Sequence, residues 1–460
     1  MQRKDSERIL WAWSELCDAL KLPQSDGPSV LGICFDSRQV QPGDLFIALP
    51  GDPGPRFNVS QRTDRDGHDF VNDALQKGAV GALVHKSVDG NHPVLRVEDT
   101  IDGLWNLARH RRKQLRCPVV AVTGSSGKTT LKSFMSQALP AFSTEGSYNN
   151  YIGLPLSIAI TPRDADAAVY EIGTNHEGEI APLSRLAQPN VAVVLNVLPV
   201  HIGYFPNIDA LTIEKFSIYQ GVSKNGTLVC LDALSDSEFA PRNVDIKTFG
   251  FESSATLRVQ HTSGHCYAFS RSGVNVEVEV PGGGNHRAET LAATAAVLSV
   301  LNVPLTNLRN VAGTLPAGRG NTHLVNGVRI IDESYNANPT SMRAALRGLL
   351  DLPANGRRIA VLAQMNELGD EAVQYHTELA GLAGQTDIVF CVGDLMRHLY
   401  ENLGSTGDKH FFETVNRDLM NRLTDVVSAG DVVMIKGSHS YFWEAKFVDQ
   451  FIANIGTDQG

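Results

Sequence analysis

Val119-Val120-Ala121-Val122-Thr123-Gly124-Ser125-Ser126-Gly127-Lys128-Thr129-Thr130 is an apolar run followed by two glycines, a lysine and two threonines. The apolar run has the β-branched content of a buried strand. The residues from Lys128 onward read as a helix. A strand entering a helix through glycines can wrap backbone N–H groups around phosphates, and the helix N-terminus favours the anion. Gly124, Ser125, Ser126 and Gly127 form the expected cradle, continued by Thr130 in the first turn. Lys128 is expected to reach the β- and γ-phosphates of ATP, and the Thr129 hydroxyl to bind Mg²⁺. The spacing is G-x-x-G-K-T, shorter than G-x-x-x-x-G-K-[ST], because Val122 stands where the longer loop has its first glycine. A tight strand-to-helix turn with a capping lysine is the competing reading. The K-T-T run between strand and helix favours the nucleotide.

Working outward, Ala168–Ile172 and Val191–Leu195 read as further strands. Strands alternating with helices imply a parallel, doubly wound sheet. Residues 255–280 change to strict alternation and predict antiparallel strands, after which Gly282-Gly283-Gly284 opens a long Ala/Leu-rich helix. A third unit has strands at Val328–Ile331, Ile359–Leu362, Ile388–Val392 and Val432–Ile435. Before the central unit, Val30–Cys34 and Leu45–Leu49 read as short strands separated by the Pro42-Gly43-Asp44 turn. The expected architecture is therefore α/β in three domains. Residues 1–116 form a small α/β domain. Residues 117–315 form a P-loop ATPase-type parallel sheet with a small antiparallel sheet. Residues 316–460 form a Rossmann-like α/β domain.

The length of 460 residues fits about three domains at about 150 residues each. Hydrophobic residues at 42% and charged residues at 20% are ordinary for a chain with real cores, which excludes disorder as the main state. Fifty acidic against 40 basic residues give a net charge of -10, which disfavours a general nucleic-acid binder. Ile101, Leu104, Trp105, Leu107 and Ala108 recur at helical spacing and lead into Arg109-His110-Arg111-Arg112-Lys113. That run reads as a solvated helix end rather than a nucleic-acid patch. No apolar run reaches the roughly 18 residues that span a bilayer, and no apolar h-region follows Met1–Arg8. Cys17, Cys34, Cys117, Cys230, Cys266 and Cys391 are scattered without a CxxC, as in a cytoplasmic protein with mostly buried thiols.

Two later segments suit a metal-bound nucleotide. Glu171 ends its strand in Val169-Tyr170-Glu171-Ile172, where Mg²⁺ beside a phosphate loop needs a hard oxygen ligand. Asn196 and His201 follow the next strand. His201 alone reads as a structural loop histidine, and Lys215, on a helix expected over 211–220, as an ordinary surface lysine.

Together with the rest of the chain these residues resemble the Mur ligases, the ATP-dependent amide-bond ligases of peptidoglycan precursor synthesis. Asp36-Ser37-Arg38-Gln39-Val40-Gln41-Pro42-Gly43-Asp44-Leu45-Phe46, Asp66-Gly67-His68-Asp69-Phe70 and Gly78-Ala79 match a block shared by the third- and fourth-step ligases. Asn149-Asn150-Tyr151-Ile152-Gly153-Leu154-Pro155 and Glu171–Ile180 resemble the D-alanyl-D-alanine-adding branch. So does Asp332-Glu333-Ser334-Tyr335-Asn336-Ala337-Asn338-Pro339-Thr340-Ser341-Met342. Met365–Gly369, His376 and Lys436-Gly437-Ser438 complete the match. The chain departs from the family pattern at Ser147, at the reversed pair Asn285-His286, and at Glu214 and Ser217. Glu289 stands where an adenine-contacting Asn is usual.

The resemblance implies a ligase that joins D-alanyl-D-alanine to UDP-N-acetylmuramoyl-tripeptide through an acyl phosphate, in cell wall biogenesis. Lys128, His201, Lys215, Asn336 and Asn338 are then the catalytic candidates. Thr129 and Glu171 would hold one Mg²⁺, and His201 with a carbamylated Lys215 a second. Glu289, Arg319 and Asp332 would contact the nucleotide. Ser37, Arg38, Asn149 and Asn150 would contact the UDP-linked substrate. No nucleic-acid partner, no membrane span and a monomeric state are expected, with Pro316–Gly320 near a hinge that closes before chemistry. The competing readings are the third-step ligase, a folyl-polyglutamate synthetase and a P-loop ATPase acting on nucleic acid. The Asp36–Phe46 block opposes the folate enzyme, Tyr335–Asn338 opposes the third-step ligase, and the acidic balance opposes the nucleic-acid motor.

Overall fold

A computed structural model gives the fold and describes residues 8–54, 65–90, 92–144, 146, 148–200, 202–311, 313, 315–404 and 407–457. Three sheets follow one another along the chain. The first joins β1 (Gly32–Cys34), β2 (Asp44–Ile47), β3 (Gly81–Val84) and β4 (Val94–Arg96) in chain order, all parallel. Trp13–Leu20 and Thr100–Gln114 are helices that share a core with this sheet through Leu16, Leu104 and Leu107.

The second sheet contains β5 (Val119–Thr123), β6 (Ala168–Glu171), β7 (Val191–Val194), β8 (Thr227–Leu231), β9 (Asp245–Gly250), β10 (Leu257–Ser263), β11 (Cys266–Arg271) and β12 (Val274–Glu279). Its order is β12-β11-β10-β9-β8-β7-β5-β6. The strands from β6 to β10 are parallel, and only β10-β11-β12 run antiparallel. The antiparallel strands anticipated at 255–280 are therefore hydrogen-bonded onto the parallel sheet through β9 and β10 rather than forming a sheet of their own. Successive residues feed opposite faces. Val120, Val122, Val191 and Val193 enter one core, while Val119, Ala121, Ala192 and Val194 enter the other. This explains the unbroken apolar runs of β5 and β7, which are covered on both sides. The helix Asn285–Val300 is buried almost all round, and its alanines let Lys128–Ala138 pack close beside it.

The third sheet contains β13 (Asn321–Val325), β14 (Val328–Glu333), β15 (Arg358–Ala363), β16 (Ile388–Val392), β17 (Asp408–Phe412) and β18 (Val432–Lys436) in the order β13-β14-β18-β15-β16-β17. Only the β13–β14 pair is antiparallel. The register sets Glu333 beside Lys436 at the C-terminal ends of neighbouring strands.

Two expectations about the surface are corrected. Arg111 is 0% exposed, with its guanidinium 4.1 Å from the Trp11 ring and Nη2 donating to Leu10 O at 2.6 Å. Arg112 reaches across to the carbonyls of Ala187 and Gln188. The basic run is thus partly a seam between the first and second units, because a long guanidinium stem can bury its carbons and still find carbonyls. Among the cysteines only Cys17, Cys230 and Cys391 are buried; Cys34, Cys117 and Cys266 are half-buried, and all six are free thiols. No helix among the described residues is long and apolar enough to cross a membrane.

Candidate active site

The order β6-β5-β7 puts the loop after β5 between the ends of two strands that leave on opposite sides. That is the crevice where doubly wound sheets bind ligands. Gly124 has φ 155° and Gly127 φ 86°. A Cβ at Gly124 would stand 2.8 Å from Leu195 Cβ, and one at Gly127 3.0 Å from Thr290 Oγ1. Both positions therefore require glycine. The helix Lys128–Ala138 starts on Gly127 with no side-chain cap, so its positive end suits an anion.

The loop is braced from β7. Asn196 accepts from Ser126 N through Oδ1 at 2.9 Å, donates from Nδ2 to Ser126 O at 3.2 Å, and accepts from Ser125 N through its carbonyl at 3.2 Å. Ser125 Oγ donates to Leu198 O and accepts from Leu198 N, both at 2.9 Å. The N–H groups of Ser125 and Ser126 thus shape the loop instead of facing the cradle. The short loop is tied from outside by these contacts.

Lys128 Nζ donates to Gly124 O at 2.7 Å, and burial holds its pKa below the usual lysine value against the pull of Glu171. Glu171 sits opposite Val122 in the β5–β6 register and is 3% exposed. Neither of its oxygens accepts a hydrogen bond among the described residues, while Lys132 Nζ lies 3.0 Å from Oε1. Lys132 follows Lys128 by one helical turn and also donates to Gly146 O at 2.5 Å. Asn149 lies against Gly173, where a Cβ would be 2.8 Å from its Cγ, and its carbonyl accepts from Gly173 N. Asn150 Oδ1 accepts from Ile152 N and Gly153 N at the start of the helix Gly153–Ala159.

Lys215 is corrected most. It is 3% exposed, not a surface or partly exposed lysine. It lies in the last turn of the helix Ile208–Phe216, which continues as a 3₁₀ turn at Ser217–Gly221, and is buried along with Leu211, Thr212 and Phe216. Burial, reinforced by the charge of Lys128, pulls its pKa down to about 7. Beside it, Glu214 accepts from Gly178 N at 2.8 Å and Ile180 N at 2.7 Å, so this departure from the family pattern caps the helix Ile180–Ala187. Burial raises the Glu214 pKa. His201, Ser147 and Met1–Glu7 lie outside the described residues. Among those described, no cluster of three His, Cys, Asp or Glu side chains is placed to hold a metal.

The third sheet reaches the loop through Arg319. Its guanidinium lies 4.0 Å from the Tyr335 ring centroid, and Nη2 donates to Thr129 Oγ1 at 3.1 Å. The segment at Pro316–Gly320 is pinned to β14 through Gly320 N to Asp332 O at 2.7 Å and Tyr335 N to Gly318 O at 3.0 Å. Asp332 is buried and accepts from Ser334 N. Glu333 is flanked by Arg287 and Lys436; burial works against its charge, but the two cations outweigh it and hold the carboxyl at about 2. Lys436 Nζ donates to Asn336 O at 3.0 Å. Asn338 closes a capping box with Ser341 on the helix Pro339–Asp351, so its Oδ1 is occupied by the fold. Glu289 is half-buried one turn into the helix Asn285–Val300, where burial raises its pKa.

A cleft of about 1540 Å³ opens between the first sheet and the second unit, lined among others by Phe35, Asp36, Arg111, Tyr148 and Arg163, and by His439 from the third unit. Ser37 and Arg38 adjoin it without lining it: Ser37 is buried, and Arg38 is spent on Asp36 at 2.7 Å. Sequence reading missed Lys132, Arg287 and the Asn196 clamp. Lys132 carries a signal, since it shares a helix face with Lys128. Arg287 carries none, because its partners are distant in sequence.

The chain matches the Mur ligase middle domain over residues 122–298 and the Mur ligase glutamate ligase domain over residues 318–439. The UDP-N-acetylmuramoyl-tripeptide–D-alanyl-D-alanine ligase of Escherichia coli is 33% identical over 89% of this chain and 91% of its own. That of Rickettsia prowazekii is 29% identical over 96% and 100%. A crystal structure of MurF from Acinetobacter baumannii superposes with a TM-score of 0.81 at 28% identity, covering 96% of this chain and 99% of its own. MurF ligase from Thermotoga maritima, in complex with ADP, gives 0.76 at 27% identity over 92% and 97%. This chain belongs to the Mur ligase family, in its UDP-N-acetylmuramoyl-tripeptide–D-alanyl-D-alanine ligase branch.

Proposed function

We infer that the protein is an ATP-dependent ligase that joins D-alanyl-D-alanine to UDP-N-acetylmuramoyl-tripeptide, releasing ADP and phosphate, in peptidoglycan precursor synthesis. The observation that carries this reading is near full-length similarity to ligases of that name, combined with a phosphate loop whose helix N-terminus has no side-chain cap. One relative of the same fold holds ADP. We place the reaction in the bacterial cytoplasm, and assign residues 1–116, 117–315 and 316–460 to the UDP-substrate, ATP and acceptor units.

A carboxylate repels an incoming amine and must be activated. An oxygen of the terminal tripeptide carboxylate attacks the γ-phosphorus, and the bond to ADP breaks. The free amine of D-alanyl-D-alanine, having lost a proton, then attacks the acyl carbon and expels phosphate. The protein's work is positioning and charge neutralisation. Lys128 and Arg319 balance the charge on the transferring phosphoryl group. Asn196 keeps the loop in its bound shape. Asn336 and Asn338 shape the acceptor pocket, Asp332 and Glu289 face the nucleotide, and Ser37, Arg38, Asn149 and Asn150 orient the UDP-linked substrate.

The residues fit a divalent cation at Glu171, a buried carboxylate at the end of β6 that lies 3.0 Å from the Lys132 ammonium, together with the hydroxyl of Thr129 in the first turn of the helix Lys128–Ala138. Mg²⁺ held by Thr129 and Glu171 would neutralise the β- and γ-phosphate oxygens. A second ion would use His201 and Lys215. An ammonium offers no lone pair, so that role needs a carbamate on Lys215. A buried amine with a pKa near 7 suits the modification: its neutral form is abundant at neutral pH and nucleophilic toward carbon dioxide.

The test is ADP release with each substrate omitted in turn. Turnover should need both the UDP-linked tripeptide and D-alanyl-D-alanine. Turnover with a dipeptide-linked nucleotide and a free diamino acid would overturn the reading.

A further inference from the structure

We infer that Arg287 is a positioning residue, which fastens the third sheet to the glycine loop of the second and thereby sets Arg319 against the phosphate loop. The inference rests on the ligase reading above. Arg287 is buried in the first turn of the helix Asn285–Val300. Its Nη1 donates to Gly282 O at 2.9 Å and Gly283 O at 3.2 Å. Its Nη2 donates to Arg319 O at 3.2 Å and to the Glu333 carboxylate. One planar fork therefore meets three carbonyls and a carboxylate drawn from two units, a geometry that a point-charge ammonium cannot reproduce.

The position is tightly built. A Cβ on Gly320 would lie 2.2 Å from Arg287 Nη2, so the chain passes the guanidinium only as glycine, with φ 102°. The Arg319 carbonyl held by Arg287 belongs to the residue whose side chain stacks on Tyr335 and donates to Thr129. Glu333 in turn pairs with Lys436, which donates to Asn336 O. The series Arg287, Glu333, Lys436 alternates in charge and connects the glycine loop, the Arg319 segment and the Asn336 turn. Losing Arg287 would leave Glu333 with one cation and release the Arg319 carbonyl, so Arg319 would lose its fixed approach to Thr129.

A double-mutant cycle of Arg287→Met and Arg319→Ala tests this, read by kcat and KM for ATP and by calorimetric affinity for ADP with Mg²⁺. Alone, Arg287→Met should lower kcat/KM for ATP about 100-fold, the scale of a displaced positioning group. In the Arg319→Ala background the same change should cost less than about 3-fold more, because its effect passes through Arg319. Arg287→Lys, which keeps the charge facing Glu333, should recover melting temperature without recovering kcat/KM. Independent, multiplicative losses would overturn the inference, as would a full-rate Arg287→Met enzyme. Should Arg287→Met fail to fold, Arg287→Lys with and without Arg319→Ala carries the same cycle. If the wild-type enzyme releases no ADP with the named substrates, the ligase reading has failed. The cycle measured on ADP affinity then still decides the role of Arg287.

Discussion

Replacing Lys215 by Met should make the unmodified protein more stable while removing its activity. Buried at 3% exposure, Lys215 has its pKa pulled down to about 7 from the usual lysine value of 10.5. The folded state therefore holds the proton less well than the unfolded chain. Below pH 7 both states are protonated and the penalty is fully present. It is relieved as pH rises from 7 to 10.5, where the unfolded chain alone stays charged. The gap of about 3.5 units corresponds to an upper bound of about 5 kcal/mol at pH 6 and about 2 kcal/mol at pH 9. Methionine fills similar space without charge. Urea unfolding of both proteins in carbon dioxide-depleted buffer from pH 6 to pH 10 isolates the group, because other titrations cancel in the difference. Lys215→Met should be the more stable at pH 6, and the difference should shrink steadily toward pH 10. ADP release by the variant should fall at least about 100-fold. A difference independent of pH, or a variant less stable at pH 6, would refute the buried-ammonium reasoning. Near-normal turnover would remove Lys215 from the mechanism.

Glu171→Gln should weaken apparent Mg²⁺ affinity about 10- to 100-fold in turnover assays, since the amide offers one poorer oxygen and takes the carboxylate charge away from Lys132; an unchanged Mg²⁺ titration would exclude Glu171 as a ligand. Arg111→Ala should destabilise the fold by about 3 kcal/mol in urea unfolding, because it empties a fully buried site over Trp11. Lys113→Ala, on the exposed end of the same run, should stay within about 0.5 kcal/mol, and equal effects would restore the solvated-end reading. With Glu289 able to accept from the adenine amino group, ATP should outcompete GTP, which presents a carbonyl there. Equal use of the two in a competition assay would contradict that contact.

The parts of the fold legible in the sequence are those whose pattern is local. β5, β6, β7, β14, β15, β16 and β18 are apolar runs bounded by polar turns, and both their existence and their parallel pairing follow from periodicity. β17, reading Asp408-Lys409-His410-Phe411-Phe412, is a partly exposed edge strand with three polar residues, so its pattern is weak. β8 and β9 are less legible: β8 is a single five-residue run, and β9, Asp245–Gly250, mixes polar with apolar residues and is exposed at its start. The glycine loop is legible for a steric reason: Gly124 and Gly127 each meet a neighbour that excludes a Cβ. Lys215 was not, because burial depends on how the helix Ile208–Phe216 packs, and nothing local distinguishes an inward lysine from an outward one. Arg111 failed for the mirror reason: a run of cations looks solvated until Trp11, one hundred residues earlier, is known to lie beneath it.

The central claim is that ATP activates the tripeptide carboxylate by phosphorylation before the dipeptide amine attacks. It is tested most directly by labelling both oxygens of that carboxylate with heavy oxygen and weighing the inorganic phosphate released during turnover with D-alanyl-D-alanine. The acyl-phosphate route predicts one heavy oxygen in each phosphate, carried across the bond that forms to the γ-phosphorus, and a pentapeptide nucleotide retaining the other. Unlabelled phosphate, with the displaced heavy oxygen found in water or in a nucleotide product instead, would contradict it.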